Sequence, residues 1–288
     1  MSESQTKQSQ KPDTGVQVGL IGHGIQLSRT PAMHMQAGRA LGLEYRYDLI
    51  DPDRMDGTPP LAALLDRAEA SGFAGLNITY PFKKAVMQHL DQLSDAAQKV
   101  GAVNTVVFRD GKRFGHNTDF WGFAEAMRQG LPGVDLDCVL LLGAGGAGGA
   151  VAHALKDLGV QDLLIHDLSP DAAATLADQT GGHVAADPGQ AAGKARGIVN
   201  ATPMGMQKLP GTAIPTQFIT TDHWVADIVY FPMQTQLLQD AGAKGCRTMN
   251  GALMALYQAV RAFSLFTGQT PDETVMRAAF DSFDKETT

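Results

Sequence analysis

The chain predicts an α/β fold containing a doubly wound parallel sheet, and three observations carry that prediction. Residues 138–142, Cys-Val-Leu-Leu-Leu, form an unbroken apolar run, the pattern of a strand buried on both faces of a parallel sheet. The glycine-rich turn Gly143-Ala144-Gly145-Gly146-Ala147-Gly148 follows, and a helix is expected from it over about 147–158. Strand and helix signals then alternate from residue 137 to residue 250, the rhythm of stacked βαβ units.

Residues 16–21 read as a short apolar strand running into Gly22-His23-Gly24. A helix opens at Pro31, with Thr30 placed to cap it and proline in its first turn. Residues 45–50 alternate as a strand, 61–71 read as a helix, and Gly72-Phe73 leads into a strand holding Asn77 and Thr79. Alternation sets those two polar side chains on one face and Ile78 on the other, and Pro81 ends the pairing. A helix is expected over 84–90, and 102–108 and 112–117 should pair around Asp110-Gly111. Past the glycine turn, 163–166, 197–200 and 225–229 read as strands. Residues 252–266 and 273–283 are expected to be helical, the first long and apolar enough to pack onto another domain. Residues 1–15 hold no apolar run and read as a disordered tail, neither signal peptide nor anchor.

The totals narrow the function classes. A chain of 288 residues, 44% hydrophobic and 18% charged, has room for two globular domains. A net charge of -7 and a pI near 5.5 argue against nucleic acid, whose phosphates need a basic face. No stretch approaches the roughly 18 consecutive apolar residues of a membrane span, and a cytoplasmic protein is expected. Cys138 and Cys246 form neither a disulfide framework nor a zinc pattern, and read as buried, reduced thiols. The spacings of His23, His34 and His116 match no ligand set, so no metal is expected.

Three clusters bear chemistry. Asn77-Ile78-Thr79-Tyr80-Pro81-Phe82-Lys83 places an amide, a hydroxyl and an amine where a strand stops, and Gly115-His116-Asn117-Thr118-Asp119 adds a second polar group set. Both suit a small polyhydroxylated ligand. In the third, Gly143 permits a tight turn, Gly145 lets backbone amides approach a pyrophosphate, and Gly148 lets helix and strand pack closely. The helix N-terminus then faces the negative charge. Together the clusters read as a dehydrogenase. Asp167 ends the next strand, about where an acidic residue receives the adenosine ribose hydroxyls. Between Lys156 and Lys194 there is no Lys or Arg, while Asp162, Asp167, Asp171, Asp178 and Asp187 lie inside. A 2′-phosphate would meet carboxylates without a counter-charge, so NAD is the expected cofactor. A competing role for Asp167 is to cap the helix near Ser169-Pro170.

These motifs, with Ser28-Arg29-Thr30-Pro31, Gly101-Ala102-Val103-Asn104-Thr105, Asn200-Ala201-Thr202-Pro203-Met204-Gly205 and Tyr257-Gln258, closely resemble the shikimate dehydrogenase family, over residues 18 to about 271. The resemblance implies an N-terminal α/β substrate domain, a Rossmann domain and C-terminal helices returning to the first. The expected boundaries are 16–118 with 252–288 for the substrate domain and 119–251 for the NAD domain. It implies Lys83 and Asp119 as the catalytic pair, with Lys83 the main acid/base and Asp119 orienting it. It implies that Ser28, Thr30, Asn77, Thr79, Asn104, Tyr230 and Gln258 line the substrate site. Gly143, Gly145, Gly146, Ala147, Gly148, Asp167, Asn200, Thr202, Met204, Val229, Gly251 and Met254 are the corresponding cofactor candidates. The substrate carboxylate is expected on the Ser28 and Thr30 hydroxyls near a helix N-terminus.

Family members using NADP carry Asn-Arg-Ser/Thr where this chain has His166-Asp167-Leu168-Ser169, and a Ser-x-Ser-Pro where it has Ser28-Arg29-Thr30-Pro31. Both departures resemble the NAD-dependent branch that oxidises quinate as well as shikimate. Alternatives are a biosynthetic NADP-dependent shikimate dehydrogenase, a dehydrogenase of aminoshikimate or another polyol acid, and a non-catalytic quinate/shikimate sensor. The expected assembly is a monomer or homodimer.

Overall fold

The structure, a computed structural model, describes residues 15–285. The tail expected at 1–15 therefore lies outside the described residues except for Gly15, which opens the first strand. In chain order the first half contains β1 (Gly15–Ile21), α1 (Thr30–Ala40), β2 (Glu44–Ile50), α2 (Leu61–Ala70), β3 (Gly75–Ile78), β4 (Gln92–Leu93), α3 (Asp95–Val100), β5 (Thr105–Arg109) and β6 (Lys112–His116). Its sheet runs in the order β2-β1-β3-β5-β6-β4. The first three strands are parallel, and β5 and β6 fold back antiparallel. Asp110 (φ 52) and Gly111 (φ 68) form the two-residue connection of that hairpin, both with the positive φ that a type I′ turn requires.

The second half continues with α4 (Thr118–Gly130), β7 (Cys138–Leu142), α5 (Gly146–Asp157), β8 (Asp162–His166), α6 (Pro170–Thr180), β9 (His183–Val184), α7 (Pro188–Ala192), β10 (Gly197–Asn200), β11 (Trp224–Asp227), α8 (Gln236–Ala243) and β12 (Arg247–Met249). All six strands are parallel, in the order β12-β11-β10-β7-β8-β9. The order reverses direction between β7 and β10, and the crevice at such a switch point is where doubly wound sheets hold a dinucleotide. Val139 and Leu141 pack into one core, while Leu140 and Leu142 pack into another on the opposite face. That two-sided burial is why β7 reads as a continuous apolar run.

Finally, α9 (Ala252–Thr267) and α10 (Glu273–Lys285) return to the first sheet. Val260 and Phe263 of α9 join Met33 and Ala37 of α1, and Ala262 and Phe266 join Val18 and Leu20 of β1. The same helix crosses α4 closely: a Cβ on Gly122 would lie 2.7 Å from the Gln258 backbone nitrogen. Among the described residues, no helix is long and apolar enough to cross a membrane.

Local expectations failed at four points. The helix expected over 84–90 is a turn followed by a 3₁₀ segment, Ala85–His89. The Lys83 carbonyl accepts from Val103 N at 2.8 Å, which withdraws it from the helical bond to residue 87. Thr30 does not cap α1: it is the helix's first residue, Arg29 occupies the cap, and no side chain accepts there. Thr79 lies just beyond the end of β3 rather than within it. Cys246 is buried but Cys138 only half so, and the two are not bridged.

Candidate active site

Lys83 and Asp119 are 36 residues apart and reach one another from different elements. The turn after β3 is tied down by Thr79 N to Ile21 O (2.9 Å) and Phe82 N to Thr79 O (2.9 Å), which fixes where Lys83 leaves the chain. Asp119 sits in the first turn of α4, whose N-cap Asn117 accepts from Phe120 N at 3.0 Å. A carboxylate is favoured at that positive helix end. Lys83 Nζ donates to Asp119 Oδ2 at 2.6 Å, with the side chains 22% and 12% exposed. The pair is largely buried, yet open enough for a ligand hydroxyl to reach it.

A buried polar network supports this pair. Tyr47 Oη donates to Asn77 Oδ1 at 2.8 Å, and Asn77 Nδ2 donates to Thr105 Oγ1 at 3.0 Å. Asn104 Oδ1 accepts from Thr118 N at 2.7 Å, and its Nδ2 donates to Thr118 Oγ1 at 2.9 Å. Both amides, expected to face substrate, are nearly fully buried and have protein partners. Asn104 thereby pins the start of the helix bearing Asp119. Burial, with Tyr45 adding to it, pushes the Tyr47 phenol up and keeps it a donor. Tyr47, Thr105 and Thr118 were not singled out from sequence. Thr105 and Thr118 lie inside the quoted motifs ending at Thr105 and Asp119 without a role of their own, and Tyr47, in the strand expected over 45–50, carried no signal.

The hydroxyls differ. Ser28 Oγ accepts only a long 3.4 Å bond from Thr30 N, and the Thr30 and Thr79 hydroxyls have no hydrogen bond among the described residues. These donors are thus available to a ligand. Gln258, half-buried on α9, spends one N–H on Ala255 O at 3.2 Å. Tyr230 is 39% exposed, yet its hydroxyl end is crowded. Desolvation raises its pKa, Arg29 and Lys83 oppose the rise, and Asp119 adds to it. Tyr230 therefore lies within electrostatic reach of the Lys83–Asp119 pair.

The residues around the glycine turn fit a dinucleotide. Gly143 adopts φ 102, and a Cβ on Gly148 would lie 2.1 Å from Gly143 O, so both positions exclude other residues. A Cβ on Gly145 or Gly146 would meet nothing within 4 Å, leaving open space before the N-terminus of α5. A cavity of about 320 Å³ opens there, lined by Gly145 and Gly146 from one half and by Lys84, Gly101 and Ala102 from the other. Ala147 lies half-buried in the first turn of α5.

Asp167 accepts from Ala144 N at 2.7 Å and from Ser169 N at 2.8 Å. The cap of α6 is Ser169, which accepts from Ala172 N, so capping does not account for Asp167. Its carboxylate is held beside the glycine turn, and the next side chain, Leu168, is 97% exposed and apolar.

On the other side of the switch point, Asn200 Oδ1 accepts from Thr202 N (3.1 Å) and Thr202 Oγ1 (2.7 Å), while its Nδ2 donates to Met204 O (3.0 Å) and Asp227 Oδ1 (2.9 Å). Thr202 Oγ1 in turn accepts from Met204 N at 3.2 Å. These three candidates shape one loop. Asp227, missed from sequence because it falls inside the strand expected over 225–229, also accepts from Thr235 Oγ1 (2.7 Å) and Val229 N (3.0 Å). Desolvation raises its carboxyl to about 6, against the pull of those donors. Gly251 is forced to be glycine by the 228–229 backbone, since a Cβ would lie 2.1 Å from Ile228 O. Met254 is 7% exposed and packs in the core beneath, with Tyr257.

His23, Asp51 and Asp53 come within 4.8 Å of one another, which their spacing did not foretell. Asp51 accepts from Gly24 N and Asp53 N, and His23 pairs with Asp53, so the cluster braces its own loop.

With this geometry in place, the comparisons are specific. Residues 20–106 match the shikimate dehydrogenase substrate binding domain, and 251–279 match the shikimate 5′-dehydrogenase C-terminal domain. A quinate/shikimate dehydrogenase (NAD(+)) of Corynebacterium efficiens is 49% identical, covering 91% of this chain and 96% of the relative. A shikimate dehydrogenase (NADP(+)) of Streptomyces avermitilis is 47% identical, covering 91% and 93%. The structure of quinate dehydrogenase from Corynebacterium glutamicum in complex with NAD superposes with a TM-score of 0.90 at 48% identity, covering 93% of this chain and 99% of that one. The chain belongs to the shikimate dehydrogenase family.

Proposed function

We propose that this protein is an NAD-dependent oxidoreductase that takes hydride from a ring hydroxyl of quinate and/or shikimate, giving 3-dehydroquinate or 3-dehydroshikimate. The observation that carries the chemistry is the 2.6 Å contact between Lys83 Nζ, beyond the C-terminal end of β3, and Asp119 Oδ2 in the first turn of α4. An amine and a carboxylate this close can both reach one substrate hydroxyl. The hydroxyl proton passes to this pair, with Lys83 as the acceptor and Asp119 orienting the amine and binding the same hydroxyl. The partly exposed Lys83 then gives the proton to water. Ser28 and Thr30, with hydroxyls beside the start of α1, receive the substrate carboxylate. NAD, when bound across the glycine turn, supplies the hydride acceptor. Gly145, Gly146, Ala147 and the start of α5 would hold its pyrophosphate, Asp167 the adenosine ribose, and Thr202, Val229 and Gly251 would border the nicotinamide.

Relatives named for NAD and for NADP are nearly equally similar in sequence, so identity alone does not choose the cofactor. Asp167 supports NAD: its anchored carboxylate repels a 2′-phosphate, and residues 157–193 contain no Lys or Arg. A cytoplasmic monomer or homodimer fits the acidic charge and the two unbridged thiols. Initial rates with quinate and shikimate, each with NAD and NADP, test the proposal. NAD should be preferred at least about tenfold in kcat/KM. Equal or better use of NADP would favour the biosynthetic reading, and no NAD-linked absorbance change with either acid would favour a sensor.

A further inference from the structure

Arg29 stands between the two hydroxyl residues Ser28 and Thr30, yet it points away from solvent and is only 5% exposed. Its guanidinium carbon lies 4.7 Å from the Phe280 ring, 5.6 Å from Phe283 and 5.9 Å from Phe231. Its Nη1 also donates to Phe280 O at 3.2 Å. Phe280 and Phe283 belong to α10, while Phe231 follows Tyr230 in the loop after β11. Phe280 touches Tyr230 as well, with ring centroids 6.0 Å apart. One buried cation and one aromatic ring therefore join three separate segments: the start of α1, the C-terminal helix and the loop bearing Tyr230.

We propose that Arg29, seated on Phe280, is a positioning residue for the carboxylate end of the substrate site. The planar guanidinium stacks on aromatic faces and bonds a carbonyl in the same pose, a combination a lysine does not reproduce. Seated in this way it fixes the backbone of residues 28–30, so that the Ser28 and Thr30 hydroxyls converge instead of sampling separate rotamers. Through Phe280 it also sets how closely Tyr230 approaches the same end. Arg29 seats on Phe280, Phe283 and Phe231, so the lock acts on binding of the acid and not on proton transfer. The inference rests on the proposed quinate/shikimate reading.

The test uses full-length Arg29→Met, Arg29→Lys and Phe280→Leu. Steady-state kinetics are read with quinate, shikimate and their methyl esters, and amide hydrogen exchange is measured without ligand. Arg29→Met and Phe280→Leu should raise KM for the acids about tenfold, the effect of losing about 1.4 kcal/mol. Their kcat and NAD KM should stay within about threefold and the ester KM within about twofold, and Arg29→Lys should recover only part of the loss. Exchange should quicken at residues 28–33 and 229–235 while β7 and β10 stay protected. Equal losses for acid and ester, or a lower kcat at unchanged KM, would mean a general structural role and would overturn the proposal. If the wild type oxidises neither acid, the functional reading fails. Exchange then decides the lock by itself, and unchanged protection in Arg29→Met overturns it.

Discussion

Replacing Asp167 by Asn tests the cofactor argument at its most exposed point. The two carboxylate oxygens are fixed by Ala144 N at 2.7 Å and Ser169 N at 2.8 Å, so the charge cannot swing away from an incoming phosphate. Two unit charges 4 Å apart repel by about 1 kcal/mol in water and about 4 kcal/mol at an effective dielectric of 20. Asp167 is half-buried, so its repulsion of a 2′-phosphate falls between those limits. Asn removes the charge but keeps one oxygen for a backbone amide. We expect kcat/KM for NADP to rise about 10- to 100-fold. For NAD it should fall about tenfold, because hydrogen bonds to the ribose hydroxyls lose their charge assistance. The assay is initial rates with both cofactors at saturating acid substrate, at low and high salt, where the NADP gain should shrink with salt. An unchanged NADP efficiency at low salt would refute the charge argument and leave Asp167 as a brace for the glycine turn.

Lys83→Ala should lower turnover by about 10²- to 10⁴-fold while substrate KM stays within a few-fold; more than a tenth of wild-type turnover would remove Lys83 from the proton step. Gly251→Ala must push its Cβ off Ile228 O, now at a hypothetical 2.1 Å, so chemical denaturation should show a loss of about 1–3 kcal/mol and NAD KM should rise. His34 is buried and its pKa falls from 6.5 to about 3 through desolvation, opposed by the Ala259 carbonyl. The unfolded chain takes up that proton first, so stability present above about pH 6.5 is lost as the pH falls toward 3. His34→Gln should flatten that slope in urea melts, and an unchanged slope would exclude His34 as the source. Asp227 has the opposite sign: its carboxyl is raised from 3.8 to about 6, so its contribution is full below 3.8 and lost as the pH rises through 6. Asp227→Asn should therefore gain stability relative to wild type between pH 4 and 7, and no relative gain would refute the sign.

Much of the framework was legible because its signals are local. The apolar run at 138–142 announces two-sided burial, Asp110-Gly111 announces a two-residue hairpin, and the glycine turn sits where a strand gives way to a helix. Each of these depends on a few adjacent residues and elementary backbone sterics. The motifs also marked Lys83 and Asp119 as chemically eligible. What each polar group finally meets is a different matter. Asn77 and Asn104 look like ligand-facing amides, and folding also delivers Tyr47, Thr105 and Thr118 to them as partners within the protein. Thr30 looks like a cap and instead opens the helix, while Asp227 and Arg29, with no role legible in sequence, become a loop anchor and a three-way joint. Chain chemistry alone determined most of the strands, turns and helices and which side chains could react. Packing decided which of those side chains remain available, since a hydrogen bond or a charge is claimed by whichever distant partner the fold brings within about 3 Å.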